Sequence, residues 1–245
     1  MLDRLAGQLE HYMDLLSARQ KLVASNIANA DTPGYQSTVV GFRDLLHSAG
    51  SYSGADTVGT GTGAAASVIG SSQAQGVVAP TGQPLDVAIE GQGYLEVRQA
   101  DGTIGLTRNG ALALNARGQL TTDLGMPLAP PITIPPGTDP AEVKIAADGA
   151  LSVAGRKLGK ISLVTVPAPN QMLAQGGGVF SATAASGAIR PAAGVALQQG
   201  ALEQSNVDLN AAMTTMVMAE QSYDLASKAI SYEQQMGQIA STIKQ

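Results

Sequence analysis

This sequence of 245 residues contains no cysteine and no tryptophan. The absence of cysteine excludes disulfides, thiol catalysis and thiolate metal sites together. It leaves the compartment open, although a chain without thiols is safe in oxidising surroundings. Aromatic residues make up only 3%, with two Phe, so the core has to be built from Val, Ile, Leu and Ala. Charge is sparse too: 13% of residues are charged, and the net charge is −5. A nucleic-acid footprint needs clustered Lys and Arg, so no nucleic-acid partner is expected. The densest basic group, Arg156, Lys157 and Lys160, reads as a solvated hairpin turn. No stretch is long and apolar enough to span a bilayer, so direct membrane insertion is not expected. Residues 1–25 carry Asp3, Glu10 and Asp14 and lack an unbroken apolar run, so no cleaved leader is predicted.

The constellations that carry catalysis are also missing. His11 and His47 sit in helical or near-helical context with no ligand spacing between them. Gly91-Gln92-Gly93 lacks the third glycine and the following helix of a dinucleotide site, and reads as a kink between two strands. There is no phosphate-binding Gly-x-x-x-x-Gly-Lys-Ser/Thr and no Gly-x-Ser-x-Gly elbow. Asp86, Glu90 and Glu96 alternate along strands and are expected to face solvent. The reading is therefore a protein that is not an enzyme and takes no cofactor or metal.

What is present is organised around the two ends. From Leu2 to about Ala30, apolar residues fall at Leu2, Leu5, Leu9, Tyr12, Met13, Leu16, Val23 and Ile27, alternating near three and four apart. That is the seam of a coiled coil. The helix would be about 40 Å long, and so narrow a stripe needs a partner. Asn29, Asp31 and Thr32 favour side-chain-to-backbone bonds, and Pro33-Gly34 ends the helix. A second helix is predicted from about Asn206 to Lys244, with Asn206 or Asp208 as N-cap. Its stripe is Leu209, Met213, Met216, Tyr223 and Ile230, continued with an offset by Tyr232, Met236, Ile239 and Ile243. That drift predicts a helix that wraps its partner or meets more than one neighbour.

Between the ends the pattern changes. Residues 48–72 are rich in Gly, Ser, Ala and Thr and lack the apolar content to fold alone. From about Val77 the pattern is β: Pro84–Glu90, Tyr94–Arg98, Ile104–Arg108, Ala111–Leu114, Gln119–Thr122, Val143–Ile145, Leu151–Val153 and Ile161–Val166. Asp101-Gly102 and Asp148-Gly149 are turn signals between strands. Pro127–Pro136 reads as an extended edge, and 168–193 as loops around one short strand near Val179-Phe180. The expected fold is α+β: long terminal α-helices packing as a coiled coil, with a central antiparallel β-rich domain. The expected division is a helical domain of 1–32 and 205–245, a flexible connector at 33–76 and a β domain at 77–204.

The run Ser25-Asn26-Ile27-Ala28-Asn29-Ala30-Asp31-Thr32-Pro33-Gly34-Tyr35 resembles the N-terminal signature of the flagellar rod and hook family. Within it, Ser25, Asn26, Asn29, Pro33, Gly34 and Tyr35 carry the likeness. Leu85–Tyr94 resembles a second family signature, as does Thr107-Arg108-Asn109-Gly110-Ala111-Leu112. Leu197–Asp208 is similar to the run before the family's final helix. Length and central signature are similar to the long rod proteins, distal or proximal.

The resemblance implies a structural subunit of the bacterial flagellar basal-body rod, spanning the periplasm and exported by the flagellar type III apparatus without cleavage. It implies a homo-oligomer in a helical polymer, with other rod, hook and ring proteins as partners. The subunit-packing residues would be Leu5, Leu9, Met13, Leu16, Val23, Ile27, Leu209, Met213, Met216, Tyr223, Ile230, Met236 and Ile239. A second reading from the residues is a secreted β-rich binding or adhesin module on a helical stalk.

Overall fold

The computed structural model describes residues 2–44 and 64–243. The fold is α+β, with a helix at each end and a mostly β region between. Two compact units form. One takes Met1–Ala28, Thr38–Ile69 and Asp208–Gln245, as far as these are described; the other takes Asn29–Ser37 and Gly70–Val207.

The first unit holds α1 (Leu2–Ala28), α2 (Leu209–Ile243) and a two-stranded sheet of β1 (Thr38–Asp44) and β2 (Ala64–Ser71), whose last two residues belong to the other unit. The two helices pack on one another. Leu15, Leu16 and Val23 of α1 are buried, as are Ala219 and Ala226 of α2. Asp208 caps α2: its Oδ1 accepts the Ala211 N–H at 3.0 Å, the bond an N-cap carboxylate makes to the third helical residue. Asn26 near the end of α1 grips the backbone of Thr38 from both sides. Its Oδ1 accepts the Thr38 N–H at 2.9 Å and its Nδ2 donates to the Thr38 carbonyl at 3.0 Å. No described helix is long and apolar enough to cross a membrane.

The second unit is mostly β, with two short 3-10 turns at Pro140–Glu142 and Pro169–Gln171. Its strands are β3 (Val78–Pro80), β4 (Val87–Glu90), β5 (Tyr94–Arg98), β6 (Ile104–Thr107), β7 (Leu112–Leu114), β8 (Leu120–Thr122), β9 (Val143–Ile145) and β10 (Ala150–Val153). They continue as β11 (Arg156–Lys160), β12 (Leu163–Thr165), β13 (Leu173–Gly176), β14 (Val179–Ser181), β15 (Arg190–Pro191), β16 (Ala196–Gln199) and β17 (Ala201–Glu203). Six of them form one sheet in the order β13-β14-β6-β5-β12-β15, antiparallel at every pairing. A three-stranded sheet runs β11-β10-β9, and the pairs β16-β4, β17-β3 and β7-β8 complete the set. The main core gathers Val87, Ile89, Leu95, Val97, Leu120, Leu128, Ile134 and Leu151 with their neighbours. A smaller cluster holds Tyr94, Leu106, Val164, Val166 and Phe180. Its two rings meet edge to face at 6.2 Å between centroids, the geometry their quadrupoles favour.

Turn chemistry placed most of these strands correctly. Asp101-Gly102 closes the β5–β6 hairpin, with Gly102 at φ 86°. Three stretches differ from expectation. Arg156–Lys160 is a strand, β11, with Arg156, Lys157 and Lys160 exposed along it; the turn itself is Ala154-Gly155. The loops expected at 168–193 contain β13 and β15 as well as β14, because backbone pairing with a neighbour stabilises strands that have little apolar content of their own. Residues 196–203 add two more strands, paired to β4 and β3. Of the connector expected at 33–76, residues 45–63 lie outside the described residues, as does His47.

Candidate functional site

The chain enters or leaves the β unit four times, at 28/29, 37/38, 69/70 and 207/208. The segments just inside those points are gathered on one cluster of side chains. All of its atoms belong to the β unit.

The first segment is a tight turn. Tyr35 N–H donates to the Thr32 carbonyl at 3.2 Å, with Pro33 and Gly34 in the two central positions. Gly34 has φ 66°, which a glycine takes without strain in such a turn. It also has no room for a side chain, since a Cβ would lie 2.4 Å from the Arg108 carbonyl carbon. Its N–H donates to the Glu203 carbonyl at 2.7 Å. So the turn rests directly on the end of β6 and is tied to β17.

Glu203 is the second feature. Alternation along β17 turns Ala201 and Glu203 inward together. An inward carboxylate has to be paired, and Arg108 pairs it. Arg108 Nη2 lies 2.6 Å from Glu203 Oε2 and Nε lies 3.0 Å from the same oxygen, with both side chains almost wholly buried at 4% and 3% exposure. Gly76 N–H donates to Oε1 at 3.0 Å. The far nitrogen of the guanidinium, Nη1, donates to the carbonyls of Gly93 at 2.9 Å and Gly91 at 3.1 Å. The kink between β4 and β5 thus presents its carbonyls to the cation.

The Arg108 guanidinium also lies 5.8 Å from the centre of the Tyr94 ring, within cation–π range. The Tyr94 hydroxyl reaches Gln73 Oε1 at 2.9 Å and Gln36 Oε1 at 3.2 Å, with one proton to share between them. Burial pushes its pKa above the ordinary tyrosine value of 10.0. Asn206 completes the cluster. Its Oδ1 accepts the Ser37 N–H at 2.7 Å, and its Nδ2 donates to the carbonyls of Ala74 at 2.7 Å and Ser72 at 3.2 Å. Its own N–H donates to the Tyr35 carbonyl, and Ser72 N–H donates to the Ser37 carbonyl. These polar groups are committed to one another, which is the arrangement of a fastener. Among the described residues no group of three or more His, Cys, Asp or Glu could hold a metal ion.

Three family models match the chain. Residues 13–36 match the flagella basal body rod protein model, 88–153 the flagellar hook protein FlgE/F/G D1 domain, and 198–243 the flagellar basal body rod FlgEFG protein C-terminal model. Among whole proteins, the flagellar basal-body rod protein FlgG of Agrobacterium fabrum is 31% identical, over 94% of this chain and 95% of its own length. The chain belongs to the flagellar basal-body rod protein family. FlgG of Buchnera aphidicola subsp. Acyrthosiphon pisum is 30% identical over 91% of this chain and 93% of its own. The rod protein FlgF of Escherichia coli K12 is 34% identical over 87% of each. These relatives give the adhesin reading no support. Each of the three family matches supplies one part of the cluster: Gly34 and Gln36 from the first, Tyr94 and Arg108 from the second, Glu203 and Asn206 from the third.

The helix residues expected to pack subunits fall in several settings. Leu16 and Val23 are buried, and Met13, Ile27, Met216 and Ile230 are half-buried. Leu209, Met213, Tyr223 and Met236 are exposed. The side chains of Leu5, Leu9 and Ile239 lie outside the described residues. Of the signature, Gly34 is buried and Asn26, Asn29, Pro33 and Tyr35 are half-buried, while Ser25 is exposed. Ala219 and Ala226, buried on α2, are too small to mark an apolar stripe in the sequence. Nor does any local pattern give Asn206 its clamping role. A lone carboxylate on the inward phase of a strand was the available signal for Glu203.

Proposed function

We propose that this chain is a structural subunit of the flagellar basal-body rod, polymerising with copies of itself into a helical tube in which the terminal helices pack as a coiled coil. The observation that supports polymerisation is the second apolar stripe of α2. Ala219 and Ala226, seven residues apart, are buried. Met218, Leu225 and Tyr232, also seven apart, are 60%, 68% and 63% exposed, and Met236 continues them. At 3.6 residues per turn the two stripes lie about 100° apart around the helix. One is covered by this chain and the other needs a different neighbour. Apolar side chains left outward in a row mark an interaction surface. A heterologous contact between copies that does not close builds a helical filament.

On this reading the subunit sits in the basal body, spans the periplasm, and leaves the cytoplasm by the flagellar type III apparatus. Other rod, hook and ring proteins are its neighbours. Nothing in it calls for catalysis, a cofactor, nucleic acid or insertion in a membrane. The test is a deletion strain examined by electron microscopy of basal bodies beside a motility plate. Missing or truncated rods with no swimming are expected, rescued by the wild-type chain but not by Leu225→Asp. Normal rods and swimming without the gene would overturn the proposal.

A further inference from the structure

We infer that Tyr94, Arg108, Glu203 and Asn206 form a clamp that ties the four chain crossings of the β unit into one mechanical element. Any force or torque carried along the chain into or out of the β unit passes through 28/29, 37/38, 69/70 or 207/208, since those are its covalent links. Left separate, the segments inside these points would each pull on a different strand. Here they are cross-tied. Asn206 bonds residues 35, 37, 72 and 74. Glu203 takes the N–H of Gly76 on its carboxylate and that of Gly34 on its carbonyl. Tyr94 reaches one glutamine on each of two segments, Gln36 and Gln73.

The tie is anchored in the core by Arg108. Its guanidinium holds Glu203 and the kink carbonyls of Gly91 and Gly93 together. A planar cation with five donors in a fixed fork can hold several acceptors at set angles, which a lysine cannot do. Three glycines bring backbones close enough for this. A Cβ on Gly34 would strike the Arg108 backbone, one on Gly76 the Gln204 carbonyl, and one on Gly110 the Val87 carbonyl. Load that enters by one crossing is therefore shared by β3, β5, β6 and β17. The mechanical part of this inference rests on the rod reading, in which the subunit transmits torque; the clamp itself does not.

The test is hydrogen exchange on the purified full-length chain, comparing wild type with Asn206→Ala and Tyr94→Phe. Neither variant leaves a buried charge, so both are expected to fold, and circular dichroism checks this. In Asn206→Ala, exchange is expected to rise about tenfold, the worth of one net hydrogen bond, at Gly34, Ser37, Ser72 and Gly76 together. The amides of Leu120, Ile134 and Leu151, in the core, should be unchanged. A rise confined to Ser37, the amide that loses its own acceptor, would overturn the clamp. A second arm reads the load. A deletion strain carrying Asn206→Ala should build rods yet swim more slowly than wild type as viscosity is raised. Wild-type speed at every viscosity overturns the load-sharing role. If the deletion itself leaves rods intact, the rod reading fails while the exchange result still decides the clamp.

Discussion

The β unit and the helical unit meet the same requirement, burial of apolar surface, to different degrees. In the β unit, Val87, Ile89, Leu95, Leu106, Leu120 and Leu151 are fully buried, and even the Arg108–Glu203 ion pair is enclosed. Among the described residues of the helical unit, burial reaches Leu15, Leu16, Val23, Ala219 and Ala226, while Met213, Val217, Met218, Leu225, Tyr232 and Met236 stay outward. A β-sheet satisfies its backbone through pairing across many strands and closes its core at the same time. A helix satisfies its backbone alone and leaves its faces to find neighbours. The β unit encloses its apolar surface within one chain, whereas the helical unit leaves a row of apolar side chains outward.

The largest effect is expected at the Arg108–Glu203 ion pair. Glu203→Ala should destabilise the β unit by about 3–5 kcal/mol, because Arg108 is left buried without its counter-charge. Urea unfolding followed by circular dichroism reads this, and a loss under 1 kcal/mol would show the pair to be far less buried than described. Gly34→Ala comes next. It should cost about 2–3 kcal/mol from the positive φ and the collision with the Arg108 backbone. The same unfolding curves measure it, and tolerance of alanine would mean that the turn does not seat on β6.

Tyr94→Phe should cost about 1 kcal/mol at neutral pH through the lost hydroxyl bonds. It also has a pH signature. Burial raises the folded-state pKa of Tyr94 above 10.0. The stability carried by the neutral phenol is therefore complete below about pH 10 and is lost as pH rises through the folded value. Wild type should weaken more steeply than Tyr94→Phe on alkaline titration, and parallel curves would falsify the assignment. Ala154→Asn should stabilise by about 0.5–1 kcal/mol, since Ala154 holds φ 48° in the β10–β11 turn and Asn-Gly suits that turn better. A lower melting temperature in this variant would count against it. Leu225→Asp, on the exposed stripe, should change the stability of the isolated chain by less than about 0.5 kcal/mol and yet abolish assembly. If it unfolds the monomer instead, the outer stripe is part of the chain's own core and the contrast between the units fails.

Much of the architecture could be read locally. The N-terminal stripe led to Leu16 and Val23, the Pro33-Gly34 pair to the turn after α1, and Asp101-Gly102 to the β5–β6 hairpin. Each depends on neighbours in sequence, and side-chain period and turn chemistry express those directly. The cluster was legible only in pieces. Arg108 and Gly34 stood in quoted signatures with no hint that they touch, and Asn206 presented itself as an N-cap. Its cap role belongs to Asp208, and its amide is used on Ser37, Ser72 and Ala74. On α2 the large residues Met213 and Met216 stand out in the sequence, whereas the buried positions are Ala219 and Ala226.

Local patterns set the order of helix, strands and helix, several of the strands and turns, and the family to which the chain belongs. These follow from patterns a few residues long. The tertiary structure decided that Glu203 meets Arg108, 95 residues away, that Asn206 joins segments more than 130 residues earlier in the chain, and which stripe of α2 stays open. No local pattern encodes such pairings, because they are chosen by the global fold: a buried charge is tolerated only where the packed strands bring it its counter-charge.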